Sequence, residues 1–203
     1  MKKIIEIGML VLLSLSNGCS ESNISQDSNT VLTQEEKDDL IFLREEEKLA
    51  RDVYLFSYDK YGEEIFSNIS QSEQRHMDKV LTLLEKYNLK DPVSSERGVF
   101  TNQTLQKLYN DLIALSGSSL IEALKVGATI EDLDIRDIGL NEDRTTISDI
   151  EDVYRKLKCA STNHMRGFNA KIIENGTTYA PQYITIDYFN TIINSTNQQC
   201  GKQ

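Results

Sequence analysis

Glu73 and His76 stand three residues apart in the string Ser72-Glu73-Gln74-Arg75-His76-Met77, in a chain of 203 residues that has one further histidine, His164. On a helix that spacing puts both side chains on one face. A carboxylate and an imidazole so placed are half of the ligand set that helical di-metal proteins project into their cores. Alone, the pair is a short motif that a glutamate-rich chain supplies by chance. What decides its meaning is whether the surrounding elements bring further ligands to it.

Low proline (2 residues) and long runs of Leu, Ile, Glu and Lys predict helix throughout. The first helix opens at Thr33 with Glu36 three residues on, a capping box, and its inward line is Leu40, Leu43, Glu47, Ala50 and Tyr54. A second, after Tyr61-Gly62, has the line Phe66, Ile69, Glu73, His76, Val80, Leu83 and Tyr87. Asp91-Pro92 and Gly98 end that unit, and a shorter helix through Leu105, Leu108, Leu112 and Leu115 forms a crossover that lets its neighbours run parallel. A third core helix starts near Ser119 with Leu120, Leu124, Gly127, Glu131, Asp134 and Ile138 inward. The fourth is signalled by a capping pair, Ser148 and Glu151, with Ile150, Tyr154, Leu157, Ser161, His164 and Phe168 inward. Past Asn175-Gly176, an extended stretch at Tyr179–Tyr183 and a last short helix near Ile186–Ile193 cap the bundle. The fold class expected is therefore all-α: a four-helix bundle with a long helical crossover between core helices 2 and 3 and a short C-terminal capping segment. Steps of three and four residues place Glu47, Glu73, His76, Glu131, Asp134 and His164 on lines that are otherwise apolar or small.

The N-terminus bounds location. Met1-Lys2-Lys3, the apolar run Ile7–Leu15 and Ser16-Asn17-Gly18-Cys19 have the shape of a lipoprotein-type signal peptide over residues 1–18, with Cys19 the lipidated residue. The run is too short to span a bilayer. Residues 19–32 are a polar tether and 33–197 one helical domain. Such a protein is exported and held at the cell envelope through lipid on Cys19, or secreted if Cys19 is unmodified. The formal charge of −10 becomes −11 once Lys2, Lys3 and Glu6 are removed, which disfavours nucleic acid and favours cations as ligands. Cys159 and Cys200 are then the remaining thiols, and an oxidising compartment favours a bridge between them. No Cys-x-x-Cys pair is present, which excludes a rubredoxin-like iron centre or thioredoxin-like motif on this chain.

Burying unpaired carboxylates costs several kcal/mol each, so the inward acids demand partners. Two metal ions would satisfy them, and carboxylate with imidazole suits iron or manganese. Alternatively Arg51, Arg75, Arg136 or Arg166 pairs with them. In the run Glu45-Glu46-Glu47, Glu45 is expected to be solvated and Glu46 to face either way.

The strings Glu46-Glu47-Lys48-Leu49-Ala50-Arg51-Asp52-Val53-Tyr54, Ser72-Glu73-Gln74-Arg75-His76-Met77, Ile130-Glu131-Asp132-Leu133-Asp134-Ile135 and Asn163-His164-Met165-Arg166-Gly167-Phe168 resemble a bacterial and archaeal domain of unknown function, assigned to the ferritin-like superfamily and related to rubrerythrins. The resemblance covers residues 36 to about 195. It implies a ferritin-like fold and a di-iron centre without an established activity. The superfamily pattern maps onto Glu47, then Glu73 and His76, then Glu131, then Ser161 and His164. Ser161 thus stands where a fourth glutamate is usual, and Asp134, one turn from Glu131, is the candidate replacement; the alternative is a site for one metal, or for none. Two functions follow as alternatives. One is a di-iron or di-manganese oxidoreductase acting on peroxide, dioxygen or ferrous iron, with Tyr54 either a nearby phenol or core filler, and with an external electron donor for peroxide reduction. The other is a non-catalytic metal-binding or structural bundle of the envelope. A homodimer is compatible with either.

Overall fold

The computed structural model describes residues 31–201. The segment expected to be a signal peptide, Cys19 and nearly all of the expected tether lie outside them. From Leu32 onward the chain is one unit of six helices: α1 (Gln34–Tyr61), α2 (Glu64–Lys86), α3 (Gln103–Ser116), α4 (Leu120–Glu142), α5 (Ser148–Glu174) and α6 (Ile186–Ile193). No strand occurs among the described residues, and none of their helices is long and apolar enough to cross a membrane.

Local chemistry sets most boundaries. Thr33 closes the capping box with Glu36, and Gly62 ends α1 at φ 67°, a left-handed position that glycine adopts without a Cβ penalty. Asn102 and Ser119 cap α3 and α4 through their side chains. The start of α5 departs from expectation. Its N-cap is Ile147, with no side-chain cap, and Ser148 is already helical. Thr145 does the work from outside: its hydroxyl accepts from Ile147 N–H and donates to Glu36, tying α5 to the cap of α1.

Contacts between helices fix their directions. Glu47 meets His76, and only Gly62 and Glu63 link α1 to α2, so the two are antiparallel. Tyr54 meets Gly127 while Glu36 meets Thr145, so α1 and α4 are antiparallel. Glu131 meets His164 and Gly127 meets Phe168, so α4 and α5 are antiparallel. It follows that α2 and α4 run parallel, which the crossover through α3 permits. Two apolar clusters flank the polar centre: Tyr54, Phe66, Met165 and Phe168 on one side, Leu40, Leu43, Val80, Ile138, Tyr154 and Leu157 on the other. In the crossover helix Leu105, Tyr109, Leu112 and Ser116 are buried, whereas Leu115 is 53% exposed.

Buried charge ties the crossover down. Glu45, expected in solvent, is buried, and its carboxylate accepts from the N–H groups of Thr101 and Asn102 at 2.6 and 2.9 Å. Lys48 is fully buried, bonded to Asp52 and to Glu96 C=O and lying 4.4 Å over the Phe100 ring. At the other end Asp132 accepts from the backbone of Gln182, Tyr183 and Ile184 and from the Tyr179 hydroxyl. That carboxylate fastens the extended segment and α6 to α4. Cys159 and Cys200 form a disulfide that pins the tail to α5.

Candidate metal centre

Four helices each contribute to one polar cluster. Glu47 comes from α1, Glu73 and His76 from α2, Glu131 from α4 and His164 from α5, and all three glutamates are 0% exposed. Glu73 sits between the imidazoles: its Oε2 is 2.7 Å from His76 Nδ1 and its Oε1 2.9 Å from His164 Nδ1. Glu47 Oε2 lies 3.2 Å from His76 Nδ1, and Glu131 Oε2 lies 3.3 Å from His164 Nδ1. The rings stack 5.8 Å apart. Two triads result, Glu47–Glu73–His76 and Glu73–Glu131–His164, each offering ligand atoms within 4.8 Å of one another, with Glu73 common to both.

Many of these contacts are close without being hydrogen bonds. Glu47 Oε1, both oxygens of Glu73, Glu131 Oε2 and His164 Nδ1 are buried and meet no aligned donor or acceptor. Native interiors rarely leave such atoms unpaired. The arginine alternative does not apply among the described residues: Arg51 binds Asp52 and Gln74, Arg136 binds Asp137, Arg166 binds Asn163, Ser195 and Asn197, and Arg75 is exposed.

The electrostatics follow from burial and from the sharing of Glu73. Burial pushes Glu47 up to about 7 against the pull of His76. Burial also opposes ionisation of Glu73, yet His76 and His164 beside it hold its carboxyl well below the usual carboxylate range. Burial works against charge on His76, but Glu73 and Glu47 raise it to about 10; burial likewise opposes charge on His164, and Glu73 with Glu131 pushes it well above the ordinary imidazole range. Without a cation the imidazoles must carry protons to balance the acids. A metal ion would displace those protons, because ligands must be deprotonated to bind.

Tyr54 combines both expected roles: its ring packs 5.3 Å from Phe168, and its hydroxyl donates to Glu131 Oε1 at 2.6 Å. Ser161 is buried, and its hydroxyl donates to Leu157 C=O on its own helix. Asp134 is buried beside the cluster but lies outside both triads, and neither of its oxygens meets a donor. Glu46, left undecided by periodicity, is buried next to it. A groove of about 580 Å³ between α2 and α5, lined in part by Ile65, Ile69, His164, Gly167 and Ala170, reaches the His164 side.

An all-helical fold with paired carboxylate–imidazole triads at its centre defines a class of helical protein with a buried acid–histidine constellation of the kind that could hold a metal ion. Within it, the chain belongs to the family of the Uncharacterized protein domain (DUF2202), which matches residues 36–196. It is 48% identical over 169 residues to Uncharacterized protein MJ0754 of Methanocaldococcus jannaschii, covering 83% of this chain and 91% of that protein. The crystal structure of hypothetical protein MJ0754 from Methanococcus jannaschii DSM 2661 matches with a TM-score of 0.83 and 47% identity, covering 86% of this chain and all of that one.

Proposed function

We propose that the chain is a ferritin-like four-helix bundle, related to rubrerythrins, that binds two iron ions, or manganese in their place, and uses them in oxidoreductase chemistry. The observation that carries this reading is Glu73, whose two oxygens face separate imidazoles in separate triads without a hydrogen-bond donor for either. Glu47 and His76 would complete one position, Glu131 and His164 the other. Ionised Glu47, Glu73 and Glu131 would offset three of the four positive charges of two divalent ions, with both histidines neutral. Bound iron would supply electron transfer to peroxide or dioxygen, or ferroxidase turnover in which ferrous iron is itself the reductant. The residues of this chain hold the ligands and shape access: Tyr54 orients Glu131, and the α2–α5 groove admits a small oxidant beside His164. Peroxide reduction would draw electrons from an external donor, since no Cys-x-x-Cys iron centre is present on the chain.

Metal analysis after anaerobic iron loading, followed by stopped-flow spectra with peroxide or oxygen, tests this. Two irons per chain and an oxidant-dependent spectral change are expected. Fewer than one metal per chain would sink the paired site. Two bound irons with an unchanged spectrum would leave the second reading, a metal-storing or structural envelope module. That α5 brings His164 to the triads and no carboxylate supports that reading, since a neutral serine hydroxyl is a poor ligand in place of a glutamate.

Export with lipid on Cys19 belongs to the same proposal and is supported by the disulfide, which suits an oxidising compartment. Mass spectrometry of the protein isolated from its native cells decides it: an N-terminus still beginning at Met1 would rule it out.

A further inference from the structure

Asp134 and Glu46 are unexplained by the two triads. Both are at least 98% buried, and all four of their carboxylate oxygens lack a hydrogen-bond donor. A buried carboxylate without a donor is costly as a charge until a proton or a cation neutralises it. Their placement is ordered. On α4, Glu131, Asp134 and Asp137 recur every three residues, so each step climbs about 4.5 Å and turns back about 60° around the helix. The stripe therefore winds from the core outward: Glu131 is 0% exposed, Asp134 1%, and the side chain of Asp137 18%. Glu46 faces this stripe from α1. Burial apart, the charges acting on Glu46 come first from Asp137 and then Glu47, and those on Asp134 from Glu46, Glu47, Glu131 and Glu73. At the outer end Arg136 pairs with Asp137, acts on Glu46, and stacks 4.8 Å over the Tyr183 ring.

We propose that Asp137, Glu46 and Asp134 form the route by which a divalent cation enters from solvent to the Glu47, Glu73 and Glu131 carboxylates, with Arg136 as a cationic latch at its mouth. The inference rests on the paired metal site proposed above. Each acid passes the ion to the next, so a hydrated cation sheds water in steps against negative charge rather than in one costly transfer. The latch neutralises the mouth when no metal is present, and a divalent ion displaces it by offering more charge to Asp137 and Glu46.

The test is cobalt(II) uptake by the metal-free full chain, followed by stopped-flow absorbance, with bound cobalt counted separately. Glu46→Gln and Asp134→Asn remove charge at nearly constant shape and relieve buried repulsion, so folding is retained. Each is expected to slow uptake by about tenfold, the scale on which charge-lined clefts alter on-rates, while two cobalt ions still bind. Arg136→Gln is expected to speed uptake, because it leaves the mouth more acidic. Unchanged rates in Glu46→Gln and Asp134→Asn, with two cobalt ions bound, would overturn the route and leave the paired site standing. Loss of a bound cobalt in either variant would make that residue a ligand and also overturn the route. A wild-type chain that takes up no cobalt would overturn the paired site itself.

Discussion

Glu73 carries the centre because both triads share it, whereas Glu47 and Glu131 each serve one. Glu73→Gln is therefore expected to abolish binding at both positions. Glu47→Gln or Glu131→Gln should leave one tightly held ion, and elemental analysis of iron-loaded protein distinguishes the cases. Retention of two ions in Glu73→Gln would refute the shared ligand. Tyr54→Phe removes the donor to Glu131 and should cost the metal-free protein about 1–2 kcal/mol in urea unfolding. At this scale periodicity found Glu47, Glu73, His76, Glu131 and His164, because an acid or imidazole on an otherwise apolar line stands out. It misjudged Glu45, which looks like part of a solvated charge run. The partners that justify burying Glu45 are backbone N–H groups 56 and 57 residues away, and no local pattern records them.

The helices owe their ends to local chemistry and their spacing to side-chain size. Gly127 on α4 lies under Phe168, and a Cβ there would come 2.4 Å from the ring. Gly127→Ala should destabilise the protein by about 1–3 kcal/mol through overpacking and shift α5, which carries His164. A thermal unfolding midpoint equal to wild type would contradict that. Glu36 joins the α1 cap to the α4–α5 loop. Burial alone would raise its carboxyl, but the Thr33 N–H and the Thr145 and Thr33 hydroxyls hold it below its ordinary value of 4.5. A depressed folded-state value means that the unfolded chain binds the proton more readily. This stabilisation is complete above pH 4.5 and is lost as pH falls through the folded-state value. Glu36→Gln should accordingly be less stable at pH 7, and its stability should fall less between pH 5 and 3 than that of wild type in denaturant titrations. Thr33 and Glu36 were legible in sequence as a capping box. The N-cap at Ile147 was not, because Ser148-x-x-Glu151 imitates a capping box and the true support, Thr145 with Glu36, is tertiary.

For the whole molecule, the Cys159–Cys200 bridge closes a loop across 41 residues and should contribute about 4 kcal/mol by restricting the unfolded chain. Replacing both cysteines with serine should lower the denaturation midpoint while leaving helical circular dichroism at low denaturant unchanged, and an unaltered midpoint would show that the bridge adds nothing. The sequence by itself determined that the chain is helical, where the helices sit, that a crossover separates α2 from α4, and that Glu47, Glu73, His76, Glu131 and His164 share inward faces, because each is a matter of period, cap or composition within a few turns; Asp134, counted with them on the same ground, lies outside the triads. Tertiary structure alone decided that Glu73 serves two triads, that Ser161 bonds its own backbone, and that Glu46 and Asp134 are buried beside the cluster without donors. Helical period specifies which face a residue occupies. How far neighbouring helices rotate about their axes, and hence which oxygen meets which nitrogen, depends on packing between side chains distant in sequence. The motif Glu73-x-x-His76 could thus announce a ligand pair, but only four helices docked together could make its carboxylate the shared centre of two.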